Sequence, residues 1–160
     1  MEHYDSSVLK GQSEGTTTSG ANVSFWLDSV SPIAFTPLAS DLETEVVIVG
    51  AGISGLSVAY CLVKAGIRVV VLDDGFVGSG ETGRTTAHIA SALDDGYAEI
   101  QRVLGQEKGR LAAQSHTEAI NFIERVIGEE KIECDFSRVD GFLFLHPTDN
   151  VKTLQEELAA

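Results

Sequence analysis

The sequence predicts an α/β fold organised around a parallel βαβ unit, and three observations carry that prediction. A β-branched run, Val46-Val47-Ile48-Val49, ends abruptly in glycine. Gly50, Gly52 and Gly55 follow at the spacing GxGxxG and open a stretch of helical periodicity. A second β-branched run, Arg68 to Leu72, then ends in two acids, Asp73 and Asp74. A buried strand, a tight turn, a helix and a second strand in this order form a Rossmann-like unit, whose ligands sit outside the carboxyl ends of the strands.

Taken in chain order, residues 1–23 are polar and rich in Ser, Thr and Gly. They read as a disordered leader, with too little apolar surface to offset the entropy of ordering. They have neither the basic start nor the apolar centre of a secretory signal, which places the protein in the cytoplasm. Residues 24–44 contain the only Trp, Trp26, with Phe25, Ile33, Phe35 and two prolines. A free linker rarely carries so much apolar surface, so an extended segment packed onto the domain is expected.

From Glu45 the strand leads into the glycines. The first allows the tight turn, the second lets backbone approach a pyrophosphate, and the third lets helix and strand pack closely. Ala51, Ile53 and Ser54 complete that turn. The helix should run from Ile53 through Ala65 and stop at Gly66, a C-terminal cap. The 18 residues from Val46 to Val63 carry no charge, a length that raises the question of a membrane span. Glycines clustered at this spacing would weaken a lipid-spanning helix for no gain, and no membrane association is expected. Asp73 comes eighteen residues after Gly55, close to the ~20 expected of a carboxylate that accepts hydrogen bonds from a ribose.

Composition narrows the partners. With 160 residues, 43% of them hydrophobic, the chain can build one domain core. Its net charge of −13 argues against nucleic acid, because phosphate-backbone binding needs clustered cations. Cys61 and Cys134 read as buried thiols of a reducing compartment.

The segment after the second strand bears on which dinucleotide is bound. A nicotinamide dehydrogenase should start a helix soon after the acidic residue. Here "GFVGSGETGRTTAHI" forms a long loop rich in glycine and hydroxyls, suited to laying amides and a cation along a phosphate and ribityl chain. "VVIVGAGISGLSVAYCLVKAGIRVVVLD" followed by "GSGETGRTTAHI" resembles the amino-terminal part of FAD-dependent oxidoreductases of the D-amino-acid/glycine/sarcosine oxidase (DAO) type. It is most similar to a subgroup sharing "GETGRTTAH", many of whose members carry a carboxyl-terminal Rieske domain. The likeness extends from the lead-in "SFWLDS" to the later "CDFSRVDGFLF".

That resemblance implies FAD as cofactor. Gly50, Gly52 and Gly55 would approach its pyrophosphate and Asp73, with Asp74 beside it, its adenosine ribose. The family more often has Glu at the first of these acids. Ser79, Gly80, Thr82, Gly83, Arg84, Thr85 and Thr86 would line the pyrophosphate and flavin side, and His88 would lie near the isoalloxazine ring. Read without the resemblance, His88 is a partly buried, satisfied histidine and Arg84 a solvated loop cation.

Two helices follow, one with Tyr97, Ile100, Val103 and Leu104 on a face, and a longer one from about Gln106 to Ile127. The second should present Leu111, Ala119, Ile120, Ile123 and Ile127, with His116 sharing their face. Short strands are expected around Glu133–Phe136 and Phe142–His146, then a helix capped by Thr148 or Asp149. In the family such strands begin an antiparallel substrate domain, so residues 45–130 are expected to form the FAD-binding part and 131–160 the start of that second domain. The resemblance further implies an incomplete fold whose substrate half is missing, which leaves the catalytic residues unassigned and the small-molecule substrate bound only in a completed enzyme. A Rieske centre is not expected from the cysteines and histidines present, as they are spaced. Three functions remain open: the FAD-binding portion of an oxidoreductase of amine or amino-acid C–H bonds, a catalytically inert fragment or interaction module, and an NAD-dependent dehydrogenase.

Overall fold

The computed structural model describes residues 24–31, 33, 35–148 and 150–160. These fall into two compact units divided between Thr86 and Ala87. The expected leader and Asp149 lie outside the described residues.

The first unit begins with one helical turn, α1 (Phe25–Asp28), capped by the Ser24 side chain. This corrects the expectation of an extended segment. Ser24 opens a short turn because its hydroxyl accepts from the Leu27 amide. The turn docks locally: the Ser24 hydroxyl donates to the Gly83 carbonyl and the Trp26 indole donates to the Thr85 carbonyl at 2.7 Å. Further along, Phe35 and Leu38 stay exposed, and at the far end the Thr44 hydroxyl donates to the Arg68 carbonyl at 2.9 Å.

Strand β1 (Val46–Val49) pairs in parallel with β2 (Val69–Leu72), Val46 opposite Val69 and Val49 opposite Leu72. Between them runs α2 (Ile53–Lys64). Gly66, at φ +80°, ends the helix as expected. Its amide donates to Val63 and that of Ile67 to Leu62, the paired bonds that satisfy carbonyls at a helix end. Cys61, on α2, and Cys134 are both exposed, which corrects their expected burial: no second layer covers those positions among the described residues.

The second unit holds α3 (Gly96–Leu104), α4 (Gln106–Glu130) and α5 (Val151–Ala159). On α4 the half-buried stripe runs through Ala112, Ala113, His116, Ile120, Ile123 and Ile127, while Leu111 and Ala119 are exposed. The expected stripe is therefore rotated slightly, and His116 does share it. Helix α5 is capped by Asn150, whose side chain accepts from the Lys152 amide at 2.9 Å, and not by Thr148. Asn150 is the residue whose oxygen reaches the second amide of the turn.

Residues 133–136 and 142–146 form no strands. A strand exists through its ladder partners, and Phe142 and Phe144 are each 82% exposed with none beside them. The β-branched and aromatic pattern is present, but the pairing is not. Arg138 instead fastens this stretch to α4, donating to Glu124 at 2.7 and 2.9 Å and to Asn121 at 2.8 Å.

Candidate functional site

Gly50 stands at φ +104°, a backbone region that side chains disfavour, and turns the chain from β1 towards α2. A Cβ on Gly55 would lie 2.0 Å from the Gly50 carbonyl oxygen and 3.3 Å from Ile48 Cγ2, so the helix packs directly on the turn. Ala51 is 4% exposed and serves as the hub. Its amide donates to Asp73 Oδ2 at 2.6 Å, and its carbonyl accepts from the Gly78 amide at 3.0 Å. The Gly75 amide donates to Asp73 Oδ1 at 2.8 Å. One carboxylate thus ties the glycine turn to the loop leaving β2. The Ala51 amide, and after it that of Gly75, hold the Asp73 carboxyl below the usual carboxylate range, while slight desolvation acts the other way.

Around this turn lies a cavity of about 580 Å³, within the range of roughly 300–1,000 Å³ typical of small-molecule sites. Its floor is Gly50, Gly52 and the first turn of α2, Ile53, Ser54 and Gly55. Asp73 and Asp74 form one wall and Ser79, Gly80, Glu81, Thr82 and Thr85 the other. The loop residues reach this position because the 3-10 turn Glu81–Arg84 folds back over α2, where the Ile53 amide donates to the Thr82 hydroxyl at 2.9 Å.

Eleven of the sixteen residues expected at the site meet here, and five do not. Ala51 lies behind the floor. Gly83 is buried where a Cβ would sit 2.9 Å from Leu27 Cδ2. Arg84 is turned to Glu81, at 3.3 Å, in an exposed pair. Thr86, exposed, closes the first unit, and His88 belongs to the second, where it is exposed rather than partly buried. Val49 and Glu81 line the cavity without having been expected. Val49 had a signal, since it ends a parallel strand at the edge where ligands collect. Glu81 had only its place within the GETGR run.

The chemistry of the lining is uneven. Asp73, Asp74 and Glu81 make the walls acidic, so an anion is favoured only at the floor. There the amides of the first helical turn lack intrahelical acceptors and the helix carries a partial positive charge, worth about 0.3–1 kcal/mol to an anion. Acids suited to hydroxyls stand beside amides suited to phosphate, the two demands of a nucleotide. No helix of the described residues is long and apolar enough to cross a membrane. No cluster of ligating side chains able to hold a metal occurs among them.

A parallel βαβ unit with a glycine turn and an acid at the end of its second strand defines a dinucleotide-binding protein of Rossmann-like fold. The chain belongs to the FAD dependent oxidoreductase (DAO) family, whose model matches residues 45–160. It is 32% identical over 133 residues to a Bacillus subtilis protein that carries the name Rieske 2Fe-2S iron-sulfur protein YhfW, covering 83% of this chain and 26% of that one. It is 30% identical to the Haemophilus influenzae oxidoreductase OrdL, over 72% of this chain and 27% of the relative. It is also 30% identical to the Escherichia coli gamma-glutamylputrescine oxidoreductase, over 77% of this chain and 29% of the relative. The chain therefore spans little more than a quarter of the length of these relatives. No solved structure matches it. The cofactor of the family is FAD, and this chain represents an FAD-binding portion of a flavin-dependent oxidoreductase.

Proposed function

We propose that the cavity at the α2 amino terminus takes the ADP half of FAD, and that the whole protein oxidises a C–H bond next to an amine. The observation that carries the reading is the joint placement of Gly50, Gly52, the first turn of α2, Asp73 and Asp74 around one cavity. Gly52 offers backbone without a side chain: a Cβ there would lie 3.1 Å from Thr82 Oγ1 and intrude on the floor. The first-turn amides hold the phosphates. Asp74, and the lone pairs that Asp73 retains, accept from the ribose hydroxyls. Ser79, Gly80 and Thr85 supply the facing wall, Ala51 supports the floor from behind, and Gly83, Arg84 and Thr86, by the resemblance alone, serve the pyrophosphate and flavin side. His88, by the resemblance alone, serves the flavin end. Bound FAD supplies the hydride acceptor at flavin N5, and the protein supplies binding, orientation and electrostatics.

An amine substrate is supported by the name of the gamma-glutamylputrescine relative. Membership of the GETGRTTAH subgroup is supported by the YhfW relative and its Rieske name. Residues 45–130 would carry the cofactor-binding part and 131–160 would open the substrate domain. The two free cysteines fit a reducing cytoplasm.

The test is direct. Purified chain should retain flavin absorbance through desalting or bind FAD and ADP in calorimetry. Gly52→Asp places a charge where backbone must meet phosphate and should abolish that binding. Wild-type affinity in this variant would overturn the phosphate assignment.

A further inference from the structure

The loop that walls the cavity opposite Asp73 and Asp74 contains Gly75, Gly78, Gly80 and Gly83. Glycine gives up more freedom on ordering than any other residue, so such a wall needs tethers to hold it. Two act at the cavity side: the Gly78 amide donates to the Ala51 carbonyl at 3.0 Å and the Ile53 amide to the Thr82 hydroxyl at 2.9 Å. Two more come from outside, from the lead-in. The Ser24 hydroxyl donates to the Gly83 carbonyl and Trp26 Nε1 to the Thr85 carbonyl at 2.7 Å, each across 59 residues of chain. Leu27 presses on Gly83, where a Cβ would lie 2.9 Å from Leu27 Cδ2. Both anchored carbonyls belong to the wall: Thr85 lines the cavity, and Gly83 directly follows Thr82, which lines it too. Trp26 is 40% exposed, so its directional bond rather than burial locates it, with the Phe25 ring edge-on at 5.2 Å.

We infer that α1 is a clasp that positions the cavity wall, with Ser24 and Trp26 as positioning residues that stand outside the lining. By holding Gly83 and Thr85 the turn keeps the loop folded over α2, and so keeps the cavity in the form that accepts a ligand. A wall that swings out lowers the apparent affinity in proportion to the molecules in which it is in place. The role towards a cofactor rests on the nucleotide reading of the cavity.

Arg84 stands exposed between the two anchored residues and offers a readout, because trypsin cleaves after it when the loop lifts, at a rate that follows the lifted population. In the full chain, cleavage after Arg84 followed by mass spectrometry should be about five-fold faster in Trp26→Phe, the worth of one hydrogen bond. Ser24→Ala should accelerate it by about five-fold or more, since the hydroxyl also caps α1. Ser24→Thr keeps the hydroxyl and should stay within about two-fold of wild type. Saturating ADP should slow this cleavage in wild type and bring Trp26→Phe back towards the wild-type rate, because ligand and clasp favour the same loop position. Cleavage after Arg68 should not change. An unaltered rate after Arg84 in both Trp26→Phe and Ser24→Ala would overturn the clasp. An equal rise after Arg68 would overturn it as well, by making the turn a general stabiliser of the unit. So would ADP that binds in calorimetry without slowing cleavage after Arg84. Failure of wild type to bind ADP, with Trp26→Phe still cleaved faster, would instead sink the nucleotide reading and leave α1 no role towards a cofactor.

Discussion

Asp73 and Glu157 each hold a pair of backbone amides, yet they act in different settings. Glu157 reaches from α5 to consecutive amides at the start of α3, Tyr97 at 2.7 Å and Ala98 at 2.9 Å. It is a helix cap supplied from another helix, needed because Asp95, in the capping position, makes no side-chain capping bond. Asp73 takes amides from two separate segments, 22 residues upstream and two downstream. It closes a loop against a turn and stands in the wall of a cavity. The same group with the same count of bonds thus completes an element in one unit and shapes a cavity in the other. What distinguishes them is whether the captured amides belong to one element or to two.

The largest expected effect breaks the turn on which Asp73 depends. Gly55→Ala sets a methyl 2.0 Å from a backbone oxygen, which no rotamer change can relieve. The loss should reach about 3 kcal/mol, the upper end for overpacking. Trp26 is the only tryptophan and belongs to the first unit, so its fluorescence during urea unfolding reports that unit. A loss below about 1 kcal/mol would mean that helix and turn do not approach as described.

Asp73→Asn comes next. The amide side chain has one acceptor oxygen, so one of the two backbone donors must face an NH₂ group. The urea midpoint of the first unit should fall, by less than in Gly55→Ala. The pH profile identifies the cause. The folded-state pKa lies below the ordinary 3.8, lowered by the Ala51 amide and then by that of Gly75. The folded state therefore favours the ionised form, and this contribution is complete above the unfolded value. It is lost as pH falls through the folded value. Wild type should lose stability over that acidic window more steeply than Asp73→Asn. Parallel profiles would show that the carboxylate does not hold the turn.

The two carboxylates also show what sequence makes visible. Asp73 was marked by its distance from Gly55, because a βαβ unit fixes how many residues separate its first turn from the end of its second strand. Its bonds to Ala51 and Gly75 were not marked, since nothing in the spacing says which groups an acid meets before a ligand does. Glu157 was invisible: its partners lie about 60 residues upstream, and only tertiary packing brings them together. Thr82 fell in a recognisable run, but its bond to Ile53 depends on a loop folding back. The strands expected near Phe142 erred the other way. Their pattern is local and legible, whereas pairing needs a partner that the local pattern does not supply.

Glu157→Gln sharpens the comparison with a smaller effect. Glutamine keeps the reach and one acceptor oxygen, so α3 should lose one of its two capping bonds. The cost should be about 1 kcal/mol, the usual scale of a lost cap, read as a lower helix melting temperature by circular dichroism. Trp26 fluorescence should not change. A shift in the Trp26 transition would show that the two units unfold together, which the division of roles between these acids does not predict.

The smallest effect is expected at Gly109, the second unit's counterpart to Gly55. A Cβ there would lie 2.5 Å from Gln101 Cγ, closer than any real contact but against a side chain free to rotate. Moving it gives up an exposed hydrogen bond from the Gln101 amide to the Ala160 carbonyl, worth roughly 0.5–1.5 kcal/mol at most. Against that, alanine inside α4 recovers about 1 kcal/mol of helix propensity over glycine. The two nearly cancel, so Gly109→Ala should change stability by less than about 1 kcal/mol in either direction. A loss as large as that of Gly55→Ala would show that α3 and α4 meet through backbone at this point. Glycine would then be as indispensable between these helices as it is at the turn between β1 and α2.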